Sequence, residues 1–185
     1  MELLGTLRYT VCIMLQLRGS ILNRPVLSLR TGGVVATTTA AIINPNNLKI
    51  EGLYCQDAFE RKKTLILLSQ DIRDVMLQGF IVDDHTSLTD PSELVRLKSI
   101  MNMKFDLINK SVITSSKEKI GKVVDYATDL DSMYIKKLYV APSMFKNLTG
   151  GNLSVDRTQI VEINDRIITI NDLLQGIPAG VRVPA

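Results

Sequence analysis

An internal repeat is the feature that most restricts how this 185-residue chain can fold. The segment Asn-Arg-Pro-Val at residues 23–26 returns as Asn-Lys-Ser-Val at residues 109–112. In the same way, Ile-x-x-Leu-Tyr at residues 50–54 returns at residues 135–139. Two copies of one pattern in the same order predict two similar structural units in tandem.

Each unit has the pattern of a series of short strands. A glycine turn followed by Val-Val lies between the two motifs in both copies, at Gly33 and at Gly121. Segments rich in Val, Ile and Thr alternate with Gly, Pro, Asn and Asp, which is typical of strands joined by tight turns. We expect strands at residues 26–29, 34–43, 49–55, 64–68, 75–77 and 80–82, and at 111–114, 120–128, 133–140, 153–155, 161–163 and 167–170. The predicted fold class is mainly β, with two tandem small β-barrels, because closure removes the exposed edges of short antiparallel sheets.

A helix start separates the two copies. Asp90 suits an N-cap, Pro91 the first helical position and Glu93 the third, and apolar residues follow at helical spacing. We therefore expect one short amphipathic helix joining the barrels. The predicted division is an N-terminal extension at 1–18, a first barrel at 19–88, a linker helix at 89–103, a second barrel at 104–171 and a C-terminal tail at 172–185.

The repeated pattern resembles the PRC-barrel family. The second copy carries it most clearly, as Leu-Ile-Asn-Lys-Ser-Val-Ile-Thr at 107–114 and Lys-Ile-Gly-Lys-Val-Val-Asp at 119–125. The resemblance covers about residues 20 to 170. The family includes the cytoplasmic barrel of the photosynthetic reaction centre H subunit and the C-terminal domain of ribosome maturation factor RimM. This likeness implies small β-barrels that serve as a protein-interaction module in a prokaryotic cytoplasm, and fold transfers across such a likeness better than function does.

Composition limits the partners and the compartment. The net charge is +3, from 22 basic and 19 acidic residues, and the chain has no basic stretch typical of a nucleic-acid-binding face. Cys12 and Cys55 have no metal-binding spacing, and the N-terminus lacks the charge pattern of a secretion signal. The longest uncharged run, residues 31–48, is too rich in Thr and Asn to span a membrane. These features predict a cytoplasmic protein without a membrane span.

The size of the repeat also bears on assembly. A unit of about 80 residues buries only about 60 to 65% of its unfolded surface, so each half is marginally stable alone. We expect the two halves to pack together or the chain to self-associate. Met14 begins a segment that would itself serve as a start, so residues 1–13 are interpreted as an annotation extension or a poorly packed arm.

No residue pattern indicates an enzyme. His85, the single histidine, follows Asp83 and Asp84 and could be a general base oriented by a carboxylate. No matching nucleophile accompanies it: Ser87 is close in sequence, but nothing else marks it as a nucleophile. The spacing of Asp71, Asp74, Asp83 and Asp84 matches no calcium loop, and aspartate is common in surface turns for local reasons. We therefore expect no catalytic residue, no cofactor and no metal site.

The loop at residues 57–63 is the most distinctive local feature. It combines the aromatic Phe59 with three consecutive cations, Arg61, Lys62 and Lys63, and the second copy places Phe145 and Lys146 correspondingly. These residues could form an exposed aromatic anchor ringed by cations, which suits an acidic protein or RNA phosphates. Alternatively, both Phe side chains plug the barrels and the cations are merely solvated. The sequence predicts a non-enzymatic protein-interaction or assembly module, with an RNA-associated or ribosome-maturation role as the alternative.

Overall fold

The computed structural model describes residues 15–143 and 152–172, and this part of the chain is mainly β, as the sequence predicts. It contains fourteen strands, one α-helix and short 3₁₀ turns. The first copy contributes β2 (Pro25–Ser28), β3 (Val34–Asn44), β4 (Lys49–Asp57), β5 (Thr64–Leu68), β6 (Asp74–Met76) and β7 (Gly79–Val82). The second copy contributes β9 (Ser111–Thr114), β10 (Lys119–Asp129), β11 (Tyr134–Pro142), β12 (Leu153–Asp156), β13 (Ile160–Ile163) and β14 (Ile167–Ile170). Outside the repeat are β1 (Leu15–Leu17), β8 (Leu88–Thr89) and the helix α1 (Lys98–Met103).

The strand order of the first copy recurs in the second. In the first copy β2, β3, β4 and β5 pair antiparallel in sequence, while β6 and β7 form a hairpin whose strand β7 lies parallel to β2. Strands β9 to β14 repeat every one of these pairings. Both copies also insert a 3₁₀ turn after the fourth strand, at Ser69–Asp71 and at Arg157–Gln159. The repeat in the sequence is therefore a repeat of topology.

Strand register corrects one equivalence within the repeat. Val26 pairs with Ala36 in the first copy, and the corresponding Val112 pairs with Gly121 in the second. Gly121 thus occupies the position of Ala36, inside a strand, and is not the counterpart of the turn residue Gly33. The two glycines look equivalent in the sequence because the turn before β10 has a different length from the turn before β3.

The tips of two equivalent hairpins join the copies. The Ile50 N–H donates to the Met133 carbonyl (2.8 Å), and the Ile135 N–H donates to the Leu48 carbonyl (2.9 Å). Leu48 and Met133 both have positive φ, 54° and 57°, so the same backbone bend presents each tip to the other. Buried aliphatic residues from both copies form one continuous core. The two halves therefore pack together, and the placing of domain boundaries between them stays a prediction.

In the described residues, the paired strands of neither half form a closed ring. In the second copy the path of hydrogen-bonded strands runs from β12 through β11, β10, β9 and β14 to β13, and within the described residues β12 and β13 do not pair. The first copy is open in the same way, because β6 spans only three residues and pairs with β7 alone. The sequence predicts closed or nearly closed barrels, and full closure by strand pairing is not seen in the described residues.

The expected linker helix is shorter than its cap signal indicates. The Asp90 carboxylate accepts the Ser92 N–H (2.9 Å), so the capping prediction is confirmed, but it starts only a 3₁₀ turn at Pro91–Glu93. Leu94 leaves the helical region with ψ 66°, which stops the turn. A separate helix, α1, begins at Lys98 and ends at Met103, and the next residue, Lys104, has a φ of 46°. The prediction of a single amphipathic helix through residues 91–103 is therefore wrong.

In each copy, a cation at an equivalent position hydrogen-bonds the last hairpin. In the first copy, Arg24 Nη2 donates to the carbonyls of Met76 and Leu77, and its guanidinium lies 5.6 Å from the centre of the Phe80 ring. Met76 is the last residue of β6, and Leu77 begins the turn between β6 and β7. The side chain therefore ties the start of the first strand to the end of the unit.

Lys110 repeats this role in the second copy. Its Nζ donates to the carbonyls of Asn164 (3.0 Å) and Asp165 and lies 4.5 Å from the centre of the Phe105 ring. The side chain is buried, and desolvation lowers the pKa of the ammonium group. A cation held by two carbonyls recurs because each unit needs partners for the same turn, but only Lys110 is buried.

Helices in the described part of the chain are all too short, or too polar, to cross a lipid bilayer.

Candidate interaction site

The β4–β5 loop at residues 58–63 is held by hydrogen bonds at its base. The Asp57 N–H donates to the Lys63 carbonyl (3.1 Å), which closes the loop, and the Ala58 N–H donates to the Val35 carbonyl (3.1 Å). Within the loop, the Gln56 side-chain amide donates to the Arg61 carbonyl (2.9 Å). These bonds satisfy backbone groups that a free loop would leave to water, so the loop has a defined path.

The carboxylate of Asp57 organises the loop from beneath. Its side chain is only 3% exposed, and its Oδ1 accepts the Phe59 N–H (2.9 Å) while its Oδ2 lies 3.2 Å from Nε2 of His85. Burial raises the pKa of Asp57, but the hydrogen bonds from Phe59, His85 and the Glu60 N–H outweigh burial and hold the pKa below its usual value. Asp57 is therefore a charged, buried anchor for the loop.

His85 connects the carboxylate to the aromatic ring of the loop. Its own backbone is fixed by the Asp84 carboxylate, which caps the 3₁₀ turn His85–Ser87 and accepts the His85 N–H (2.7 Å). The imidazole then meets the Phe59 ring edge to face, with centres 5.2 Å apart and planes at 79°. This arrangement holds Phe59 in one place although the side chain is 72% exposed.

Three cations follow Phe59 in the same loop. Arg61, Lys62 and Lys63 are all exposed. The charge of Lys63 contributes to the lowered pKa of Asp90, so Lys63 faces that carboxylate. Within residues 15–143 and 152–172, neither Arg61 nor Lys62 forms an ion pair. We call Phe59, Arg61, Lys62 and Lys63 the Phe59 patch.

The neighbouring carboxylates are engaged elsewhere. Asp84 pairs with Arg30 (3.0 Å), and Asp83 forms a close pair with Arg73 (2.6 Å). The imidazole of His85 has its single hydrogen bond, among the described residues, to Asp57 and none to a hydroxyl or thiol. His85 is thus oriented by a carboxylate other than those beside it in sequence, and its contacts serve the loop.

The patch belongs to one copy only, as far as the described residues extend. Strand pairing places Pro142 of the second copy where the first has Asp57, so the buried carboxylate does not recur. Phe145 and Lys146, the predicted counterparts of the loop residues, lie outside the described residues. Within the described part of the chain, histidines, cysteines and carboxylates nowhere gather into a group of three that could hold a metal ion.

Replacement of Asp57 by alanine is expected to lower the free energy of unfolding by about 2 kcal/mol, because donors at Phe59, Glu60 and His85 lose a buried acceptor. The part of this contribution that depends on the charge of Asp57 is expected to disappear in acid. A carboxylate whose folded pKa is depressed stabilises the fold above its unfolded pKa, and the stabilisation is lost as pH falls through the folded value, below about pH 4. Urea denaturation from pH 7 to 3 measures both effects. If the free energy of unfolding depended on pH equally in the wild type and in Asp57→Ala, this role of Asp57 would be contradicted.

Comparison with known proteins gives this site no precedent: no protein-family model matches the chain, and no curated protein does either.

Proposed function

We propose that this chain is a non-enzymatic, cytoplasmic protein of the PRC-barrel kind, with two tandem small barrels, that docks a protein partner through the Phe59 patch. The observation that carries the proposal is the exposure of Phe59, 72%, on a loop whose base is fixed by a buried carboxylate and a histidine. The partner surface is acidic, because cations flank the ring.

The physical argument rests on preorganisation. A large aromatic ring in water costs free energy that burial in a partner pocket recovers, and aromatic residues dominate the energetics of protein interfaces. Because the Asp57 carboxylate accepts the Phe59 N–H and the Asp57 N–H donates to the Lys63 carbonyl, the loop is already ordered and binding loses little conformational entropy. The cations at Arg61 and Lys62 add long-range attraction and select for an acidic partner.

Support for the PRC-barrel assignment comes from the repeated topology. Each copy has four antiparallel strands in sequence, a 3₁₀ turn and a hairpin whose last strand lies parallel to the first. The family resemblance of residues 107–114 and 119–125 falls on β9 and β10, which are central in their sheet. Family members that serve as docking modules suggest the same class of role for this chain.

An RNA-associated role in ribosome maturation is the alternative. The observation in its favour is the same juxtaposition of an exposed ring and exposed cations, since single-stranded RNA stacks bases on aromatic rings and pairs phosphates with cations. RNA binding of this kind falls steeply as salt rises. Docking of Phe59 in an apolar pocket is less sensitive to salt.

The experiment compares two triple variants with equal loss of charge. Arg61→Ala, Lys62→Ala and Lys63→Ala together remove the cations of the patch, whereas Lys117→Ala, Lys119→Ala and Lys122→Ala remove three exposed cations of the second copy. Each protein is immobilised on a resin and incubated with host extract. The protein and RNA that it retains are then quantified at low and at high salt. We expect acidic protein to be retained by the wild type and the control, and to be reduced at least about tenfold in the patch variant.

Two outcomes contradict the proposal. Retention of RNA that depends on the patch, without a retained protein, would replace docking by the RNA-associated role. Equal retention by both triple variants would show that general positive charge, rather than the patch, accounts for binding.

A further inference from the structure

A second site lies at the junction of the two copies, away from the Phe59 patch. A cleft of about 220 Å³ opens between β3 and β10. The helix α1 packs on β3, and the 3₁₀ turn Arg18–Ser20 packs on β10, so segments outside the repeat cover the cleft from two sides. This position, between two packed halves, is a common place for small-molecule sites.

The two copies differ at one position that lines the cleft. Ala41 pairs with Leu53 in the first copy, and Tyr126 pairs with the equivalent Leu138 in the second. The small side chain of Ala41 leaves space that a tyrosine would fill. Apart from its charged residues, the remaining wall is largely apolar and is formed by Leu22, Ala40, Ile42, Ile43, Tyr54, Ile100, Met101 and Phe105.

Polar groups also line the cleft. Arg18 and Tyr126 both line the cleft, and the Tyr126 side chain is buried. Burial raises the pKa of Tyr126 to about 12, so its hydroxyl keeps its proton at neutral pH and can donate. Lys104 lines the same cleft and adds a second positive charge.

The charge balance of the cleft favours an anion. Its one carboxylate, Asp106, accepts the Ile108 N–H (3.1 Å) in a local turn. Neither Arg18 nor Lys104 has an ion-pair partner among the residues that the structure describes. A guanidinium beside a hydroxyl donor matches the two oxygens of a carboxylate.

We propose that this cleft binds a small monocarboxylate, with the carboxylate on Arg18 and the Tyr126 hydroxyl and an apolar body against Ala41 and Met101. The volume, about 220 Å³, is below the roughly 300 to 1,000 Å³ of pockets for drug-sized ligands, so the ligand is a short-chain or single-ring acid. The site is independent of partner docking, because none of its residues belongs to the Phe59 patch.

The test uses benzoate as the probe and benzamide as its neutral match, titrated into the full chain and followed by the methyl NMR signals of Ala41 and Met101. We expect saturable benzoate binding with a dissociation constant of about 1 mM, the range typical of so small a ligand. Benzamide is expected to bind at least about tenfold more weakly, since it lacks the charge that Arg18 pairs.

Variants separate the two parts of the site. Arg18→Met is expected to weaken benzoate at least about tenfold and to leave benzamide unchanged, because only the charged contact is lost. Ala41→Tyr, which installs the side chain of the other copy, is expected to abolish binding of both probes by filling the cleft. Arg166→Met, at an exposed position outside the cleft, is the control and is expected to bind benzoate like the wild type.

Three results would overturn the proposal. They are the absence of saturable shifts with benzoate, equal affinity for benzoate and benzamide, and unchanged benzoate affinity in Ala41→Tyr. The Arg18→Met spectrum without ligand shows whether that variant is folded, and Ala41→Tyr decides the matter independently if it is not.

Discussion

Replacement of Gly121 by alanine is expected to lower the free energy of unfolding by about 3 kcal/mol, a large part of the stability of a protein of this size. A Cβ at this position would lie 1.9 Å from the Ala141 carbonyl oxygen, which belongs to the neighbouring strand β11. Backbone cannot turn away as a flexible side chain can, so β10 and β11 must separate. Urea denaturation of the wild type and the variant measures the loss.

Gly33→Ala is the matched control for this prediction. A Cβ at Gly33 would meet only the Thr31 hydroxyl oxygen, at an ordinary 3.6 Å, so the expected change is within about 0.5 kcal/mol. The pair also tests the register of the repeat, because the two glycines occupy similar sequence patterns but different structural positions. Equal losses in both variants would contradict the placement of Gly121 inside β10.

Replacement of Phe59 by alanine is expected to weaken partner binding at least about 30-fold, the effect of losing a hot-spot residue worth about 2 kcal/mol. The stability of the fold is expected to change by less than about 0.5 kcal/mol, because the ring is 72% exposed and contacts mainly His85. Quantitative mass spectrometry of proteins retained from host extract measures the first effect, and urea denaturation measures the second.

Leu77→Ala controls for loss of exposed apolar surface in general. Leu77 is 89% exposed and lies in the β6–β7 turn, outside the Phe59 patch. We expect this variant to retain the partner like the wild type. A Phe59→Ala protein that binds normally, or a Leu77→Ala protein that loses the partner equally, would remove the basis for docking through Phe59.

The sequence predicts the strand order well because the signals for it are local. Val- and Thr-rich runs between Asn, Pro and Gly turns specify strands without reference to the rest of the chain, and the repeat gives each strand twice. Strand register is harder to predict from the sequence, since it depends on turn length and on close contact between backbones. Gly121 looks like a turn residue in the sequence, but the reason for glycine there is the Ala141 carbonyl on another strand.

The linker illustrates a limit of local signals. Asp90 and Pro91 cap a turn as their residue types predict, yet the backbone at Leu94 leaves the helical region and the helix α1 begins only at Lys98. Helical spacing of apolar residues cannot reveal such a break, because tertiary packing determines where a weak helix continues.

The candidate site was predictable in its exposed part and not in its buried part. Phe59 and the cations from Arg61 to Lys63 form a conspicuous run, so they can be selected from the sequence. The pair of Asp57 and His85 joins residues far apart in the chain, and in sequence the nearest carboxylates to His85 are Asp83 and Asp84. The repeat offered one signal, since Asp57 and His85 have no counterparts in the second copy.

Photo-crosslinking in the host is the most direct test of docking through the Phe59 patch. A benzoylphenylalanine replaces Phe59 in one protein and Leu77 in a control, both positions being highly exposed. The aromatic ring at position 59 is kept, so the patch stays intact. We expect irradiation to give a discrete protein adduct at position 59, absent at position 77 and lost when Arg61, Lys62 and Lys63 are changed to alanine. Adducts with nucleic acid alone, or the same protein adducts at both positions, would contradict docking of a protein partner through Phe59.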